Sequence, residues 1–255
     1  MRRFITILVF IFAGTFVSFS QDQRNMSYPR FQKGEIIIRH SGHTLSYNPD
    51  ALIPNWVAYT LKSSNLEGDA QRASSFSVDP APQLKGFKLA EHWNYTHSGW
   101  VRGHMAPAGD FKYSQEAMND TFYTTNVCPM DMTFNNGIWK RLEEKIRKLA
   151  IEFGCVFIIT GAIIGDNING KVGDSEIIIP DTFYKAILVP YKNTYLAIGF
   201  YMDNVPAPKG TKLRDYAVTI EWLQEKTGMR FFAALDNNTK SKIEKSLPLK
   251  ELGLY

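Results

Sequence analysis

Asn135, Trp139, Glu143 and Arg147 recur at intervals of four residues. On a helix this spacing stacks an amide, an indole, a carboxylate and a guanidinium into one slowly drifting stripe. Beside it, Trp139, Leu142, Ile146, Leu149 and Phe153 form an apolar stripe, which predicts a helix from about Phe134 to Phe153 with one buried face. Alone, Glu143 and Arg147 would be a surface ion pair worth a few tenths of a kcal/mol, and Asn135 a helix-start residue. The preceding segments give the stripe another meaning. Arg102-Gly103-His104 is expected to end one strand and Asn126 the next, which makes a compact ββα unit carrying His, Asn and Glu. A histidine titrating near its ordinary pKa of about 6.5 is a general base for neutral pH, and its activity falls as the pH drops through that value. An asparagine amide oxygen is a hard ligand for Mg²⁺, an ion that keeps most of its waters. An arginine fork fits phosphate oxygens. Base, hydrated cation and guanidinium are the parts that phosphodiester hydrolysis requires.

Three ordered motifs carry a resemblance. Arg102-Gly103-His104-Met105-Ala106-Pro107-Ala108-Gly109-Asp110-Phe111 resembles the DRGH-type signature of the DNA/RNA non-specific endonucleases, the His-Me finger or ββα-metal nucleases. Thr125-Asn126-Val127-Cys128-Pro129 resembles their Asn-x-x-Pro segment, and Asn135 to Glu143 their N-x-G-x-W-x-x-L-E helix start. Arg39-His40, Leu45 to Asn48 and Asn55 to Tyr59 are similar to the family's opening strands, and Thr227-Gly228 to its C-terminal part, so the likeness runs from about residue 35 to 245.

The resemblance implies roles. His104 would activate water, Asn135 would be the one direct protein ligand of Mg²⁺ (or Mn²⁺), and Glu143 would hold a water of the hydrated ion. Asn126 would help hold the site near the substrate. Arg102 and Arg147 would contact phosphate or order the carboxylate. Arg72, the only Arg between residues 40 and 101, is the candidate for a further phosphate contact. The implied activity is endonucleolytic cleavage of DNA and RNA with little sequence preference, since phosphate contacts carry no base information. One position departs from the family: Val101 stands where an Asp is usual. That departure motivates a second reading, a catalytically impaired nucleic-acid binder. A third is a phosphodiesterase acting on a small nucleotide-like substrate.

The rest of the chain supplies the frame. Its 255 residues are 44% hydrophobic and 21% charged, which excludes a disordered or low-complexity chain and permits a large core. Met1-Arg2-Arg3, an apolar run from Phe4 to Val17 and small residues at 18–20 read as a signal peptide over residues 1–20. The expected product is a secreted or periplasmic protein without stable membrane association. Without Arg2 and Arg3 the charge is 27 basic against 25 acidic residues, or +2, so net charge does not argue for nucleic acid. Lys85, Lys88, Lys112, Lys140 and Arg141 flank the motifs and could follow a phosphate backbone. His40, His43, His92 and His97 read as scattered surface histidines, and Cys128 and Cys155 as free buried thiols.

Residues 21–33 read as a flexible leader and 34–255 as one α+β domain, a central and mostly antiparallel sheet with flanking helices that contains the ββα-metal motif. Strands are expected at 35–39, 54–61, 121–126, 156–160, 177–179, 184–189 and 196–202, with a last short one at 231–234. A second helix is expected at 215–225, and a hairpin turn at Asn169-Gly170. The Ser/Asp/Pro/Gly-rich stretch 62–86 is too long for a bland connection and reads as functional or mobile.

Overall fold

The computed structural model describes residues 26–165 and 169–255. Its strands are β1 (Ile36–Arg39), β2 (Thr44–Asn48), β3 (Ile53–Lys62), β4 (Val101–His104), β5 (Val127–Met130), β6 (Cys155–Ile163), β7 (Lys171–Val172), β8 (Ile177–Ile178), β9 (Thr182–Tyr191), β10 (Thr194–Asp203) and β11 (Ala217–Val218). Its α-helices are α1 (Gln115–Asp120), α2 (Lys140–Phe153, with a lead-in from Met132), α3 (Ile220–Thr227) and α4 (Asn237–Ile243). Seven strands form one sheet in the order β1-β2-β3-β6-β9-β10-β11, antiparallel throughout. The α+β expectation of a central antiparallel sheet with flanking helices holds.

Side-chain alternation explains the layers. In β3, Val57, Tyr59 and Leu61 face one way and Trp56 and Ala58 the other; in β9, Phe183, Ile187 and Val189 oppose Tyr184, Ala186 and Leu188. Both faces are apolar, so both must be covered. The first carries the ββα unit through Val127, Trp139, Leu142, Ile146 and Leu149. The second carries Ile220 and Leu223 of α3, Phe231, Phe232 and Ile243 of α4.

Several local expectations shift for physical reasons. Thr121–Asn126 is a turn and not a strand: Ser114 caps α1, and the Thr121 hydroxyl donates to the Met118 carbonyl at 2.7 Å, so side chains satisfy the backbone and the β-branched residues do not extend. The strand comes one step later, at β5. Phe231–Ala234 is also not a strand. Phe232 adopts φ 49°, and both phenyl rings bury their apolar area without strand pairing. The Thr219 hydroxyl accepts from Trp222 N at 3.1 Å and starts α3 at Ile220, later than expected. Asn169-Gly170 precedes β7, and the β7–β8 hairpin turns at residues 173–176. The first three residues of the Asp166–Lys171 stretch, like residues 1–20, lie outside the described residues. Of the expected leader, residues 26–33 are tied down: Arg30 N donates to the Arg230 carbonyl at 2.8 Å, and Phe31 stacks on Trp56. Cys128 and Cys155 are free, and Cys155 is only half-buried. Among the described residues no helix is long and apolar enough to cross a membrane.

Candidate active site

Strands β4 and β5 pair in register from Val101 opposite Met130 to His104 opposite Val127. Gly103 is required there, because a Cβ at that position would overlap the Met130 thioether. The pleat sends Arg102 and His104 to one face, where Phe76 of the 62–86 loop packs against both, at 5.2 Å from the guanidinium and 5.1 Å from the imidazole. Beyond His104 the chain is clamped by the buried Asn126. Its amide oxygen accepts from Ala106 N at 3.0 Å, and its amide nitrogen donates to the carbonyls of Ala106 and Thr121, both at 2.9 Å. Asn126 therefore shapes the loop after His104 from behind.

The Asp131 carboxylate accepts from Phe134 N at 2.8 Å and starts the helical lead-in. Asn135–Trp139 then forms a π-bulge, with Gly137 at φ −100° and ψ −107°. π-bulges recur at functional sites because they re-aim side chains. Here the bulge takes Trp139 out of the stripe and buries it completely, while Asn135, Glu143 and Arg147 turn to a cleft.

That cleft, about 390 Å³, is lined by Arg72, His104, Asn135, Asn136, Lys140, Glu143 and Arg147 together with residues 107–109. Five of the seven residues singled out from the sequence thus converge. The two others do not line it. Asn126 lies behind the loop, and Arg102 donates to the His92 carbonyl at 2.7 Å with its guanidinium over the rings of Phe76 and Tyr95. Arg72 lies over the Phe122 ring at 5.1 Å. The His104 imidazole sits between Phe76 and Phe122, and its Nε2 is buried without a hydrogen-bond partner. Burial, and secondly the charge of Arg72, lower its pKa from 6.5 to about 3. The expectation of a histidine titrating near neutrality is corrected: this imidazole is a neutral acceptor across the physiological range.

Beneath the cleft lies a buried charge cluster that includes two residues the sequence reading did not single out. The Arg147 guanidinium donates to Asp110 Oδ1 at 2.6 Å and lies 3.6 Å from Glu143, so this arginine orders carboxylates. Tyr59 donates to the other Asp110 oxygen at 2.8 Å. Lys185 of β9, fully buried, faces the same cluster. Burial raises the Glu143 carboxyl and lowers the Lys185 ammonium. Asp110 sat in plain view in the signature. Lys185 had one signal, a lone cation in the apolar run Phe183–Val189. His40 and His43 are also not surface residues: His40 pairs with the buried Asp79 at 3.0 Å, and His43 is buried beside it. Asp79 comes from the 62–86 loop, so His40 anchors the segment that carries Arg72 and Phe76.

A hydrated divalent cation fits this donor set. The Asn135 side chain lines the cleft, makes no hydrogen bond to another described residue, and has the Glu143 carboxylate nearby on the same wall. Among the described residues no cluster of three or more His, Cys, Asp or Glu could enclose a metal.

The family model described as DNA/RNA non-specific endonuclease matches residues 21–238. The chain is 35% identical over 216 residues to the mitochondrial nuclease EXOG of Danio rerio, covering 80% of this chain and 63% of that protein. It is 32% identical to nuclease C1 of Cunninghamella echinulata, covering 79% and 84%. The chain spans about three-fifths of the length of the EXOG proteins it matches. Its fold is shared with EndoG in the crystal structure of the EndoG/EndoGI complex, with a TM-score of 0.76, 24% identity, and coverage of 85% and 93%. The relatives overturn the expectation of a secreted or periplasmic protein. Most of them are named as mitochondrial nucleases.

Proposed function

Because the chain belongs to the DNA/RNA non-specific endonuclease family, we propose that it is a Mg²⁺-dependent endonuclease that hydrolyses phosphodiester bonds of DNA and RNA with little sequence preference. The observation that carries this reading is the convergence of His104, Asn135, Glu143, Arg72 and Arg147 on one cleft. With Nε2 buried, Nδ1 is the ring nitrogen of His104 left to take the proton of an attacking water. The water oxygen bonds to phosphorus, the P–O3′ bond breaks, and the leaving 3′-oxygen takes a proton from solvent, so that a 5′-phosphate and a 3′-hydroxyl result. Arg72 and Lys140 supply positive charge to the non-bridging oxygens. Asn135 would hold the ion, with Glu143 accepting from its water shell. When bound, Mg²⁺ offsets the negative charge that develops on phosphate and leaving oxygen. The Arg147–Asp110 pair holds the wall on which Glu143 stands.

The place of Val101 in the fold favours the catalytic reading over the impaired binder. The side chain packs on the core, and the pleat sets it opposite to Arg102 and His104. A carboxylate there would not face the cleft. The direct test is digestion of supercoiled plasmid and of RNA with Mg²⁺ and with EDTA. Nicking with Mg²⁺ that EDTA abolishes is expected; binding without cleavage would favour the impaired binder, and cleavage of small phosphodiesters alone the third reading.

The site also dictates a pH dependence. His104 stays neutral down to about pH 3, so it cannot produce an acid limb near neutrality. Glu143 can: its pKa is raised by burial, so it takes up a proton sooner than an exposed carboxylate as the pH falls. Activity is therefore expected to decline between about pH 8 and 5, and added Mg²⁺ to shift that decline to lower pH. Rate profiles of the parent and of Glu143→Gln check this. The variant should show a low, flat profile, and an unchanged limb in it would assign the titration to another group.

A further inference from the structure

Strand β9 places one ammonium at the centre of the sheet. Lys185 is 0% exposed, and alternation sets it with Phe183 and Ile187 on the face covered by the ββα unit. An amine taken out of water must find acceptors or give up its charge. Lys185 finds three partners. Its Nζ donates to Thr160 Oγ1, on its register partner in β6, at 2.8 Å, and to the Met105 carbonyl at 3.2 Å; it lies 4.4 Å from the centroid of the Trp139 ring. Met105 follows His104. Trp139 lies midway between Asn135 and Glu143, at the end of the π-bulge. One buried cation thus touches both segments that bring the hydrolytic groups together, and the rigid central sheet holds it in place.

Charge count supports the same role. Asp110 and Glu143 are two carboxylates under the cleft, and Arg147 sits closer to Asp110, at 2.6 Å, than to Glu143, at 3.6 Å. Lys185 is the second cation acting on both carboxylates. With it the cluster has two charges of each sign; without it, two buried carboxylates share one guanidinium, and Glu143 holds the weaker claim.

We propose that Lys185 is a positioning residue of the hydrolytic site, fastening the His104 loop to the start of the Asn135–Glu143 helix and completing the charge balance around Glu143. The proposal rests on the reading of the chain as a nuclease. Lys185→Met keeps the length of the side chain and removes its charge and donors. In the full chain it is expected to lower kcat about 10- to 100-fold, as loss of a partner behind a metal site does, while KM for plasmid changes less than about threefold. A cycle with Glu143→Gln separates positioning from packing. If Lys185 acts through Glu143, the double variant is no slower than Glu143→Gln alone; losses that multiply would overturn the proposal, as would parental kcat in Lys185→Met. Lys185→Gln, neutral but polar, carries the same expectation if Lys185→Met does not fold. Amide hydrogen exchange without metal gives a readout independent of cleavage. Residues 104–110 and 138–147 should exchange faster in Lys185→Met, with residues 36–48 unchanged. If the parent does not cleave plasmid, the nuclease reading falls, and exchange alone decides Lys185: no change in those two segments overturns it.

Discussion

Replacement of His104 by alanine is expected to lower kcat by roughly 10²- to 10⁴-fold, the contribution of a positioned general base, and to leave the fold standing. The imidazole makes no hydrogen bond to hold the structure. It contributes ring contacts to Phe76 and Phe122, so its loss should cost about 1–3 kcal/mol of stability. The space it leaves opens on the cleft, so added imidazole should restore part of the rate. Single-turnover plasmid cleavage beside a melting curve checks both halves. A variant that cleaves within about threefold of the parent while folding normally would remove His104 from the mechanism. A variant that neither folds nor cleaves would show that the residue is structural. The low pKa of His104 adds a constraint: the loss should be nearly the same at every pH above about 5, because the parent imidazole is already neutral there.

Asn135→Ala is expected to lower kcat about 10²- to 10³-fold at fixed Mg²⁺ and to move the metal dose curve to higher concentration, since the charge stabilisation at stake is several kcal/mol. The helix should not notice the change. The bond that seats this residue is its backbone N–H, which donates to the Asp131 carbonyl at 2.9 Å, and alanine keeps it. The π-bulge is set by Gly137 and not by the Asn135 side chain. Calorimetric titration of the protein with Mn²⁺ provides a check that needs no substrate. A parental dose curve and parental Mn²⁺ affinity in Asn135→Ala would mean that another group holds the ion.

The sequence carried the chemistry further than the backbone. His104, Asn135, Glu143 and Arg147 were legible as candidates because the motifs that carry them resemble those of a known family, and Arg72 because it is the only Arg between residues 40 and 101; all five line one cleft. The long helix was legible from its apolar stripe, and the central strands from their apolar runs, because burial of one face leaves a period in the sequence. Thr121–Asn126 misled because β-propensity reports a half-buried pleated surface, whereas here the hydroxyls of Thr121 and Thr125 found partners of their own. Arg102 looked like a phosphate ligand because it adjoins His104, yet its guanidinium closes on the His92 carbonyl and two aromatic rings, contacts between residues that no spacing relates.

What the sequence determined by itself is a set of candidate groups, through residue type and the resemblance of three motifs, and the α+β class, through local period. Tertiary structure decided three things that depend on neighbours distant in the chain. It set the protonation of His104, through burial between Phe76 and Phe122 and the approach of Arg72. It also set the aim of Asn135 and Glu143, through a π-bulge that one glycine permits and Trp139 burial completes. Lastly it assembled the charge cluster of Asp110, Glu143, Arg147 and Lys185, drawn from a loop, a helix and a central strand. Electrostatics and burial act through space, so the charge state of a group follows from what folds against it and not from what precedes it.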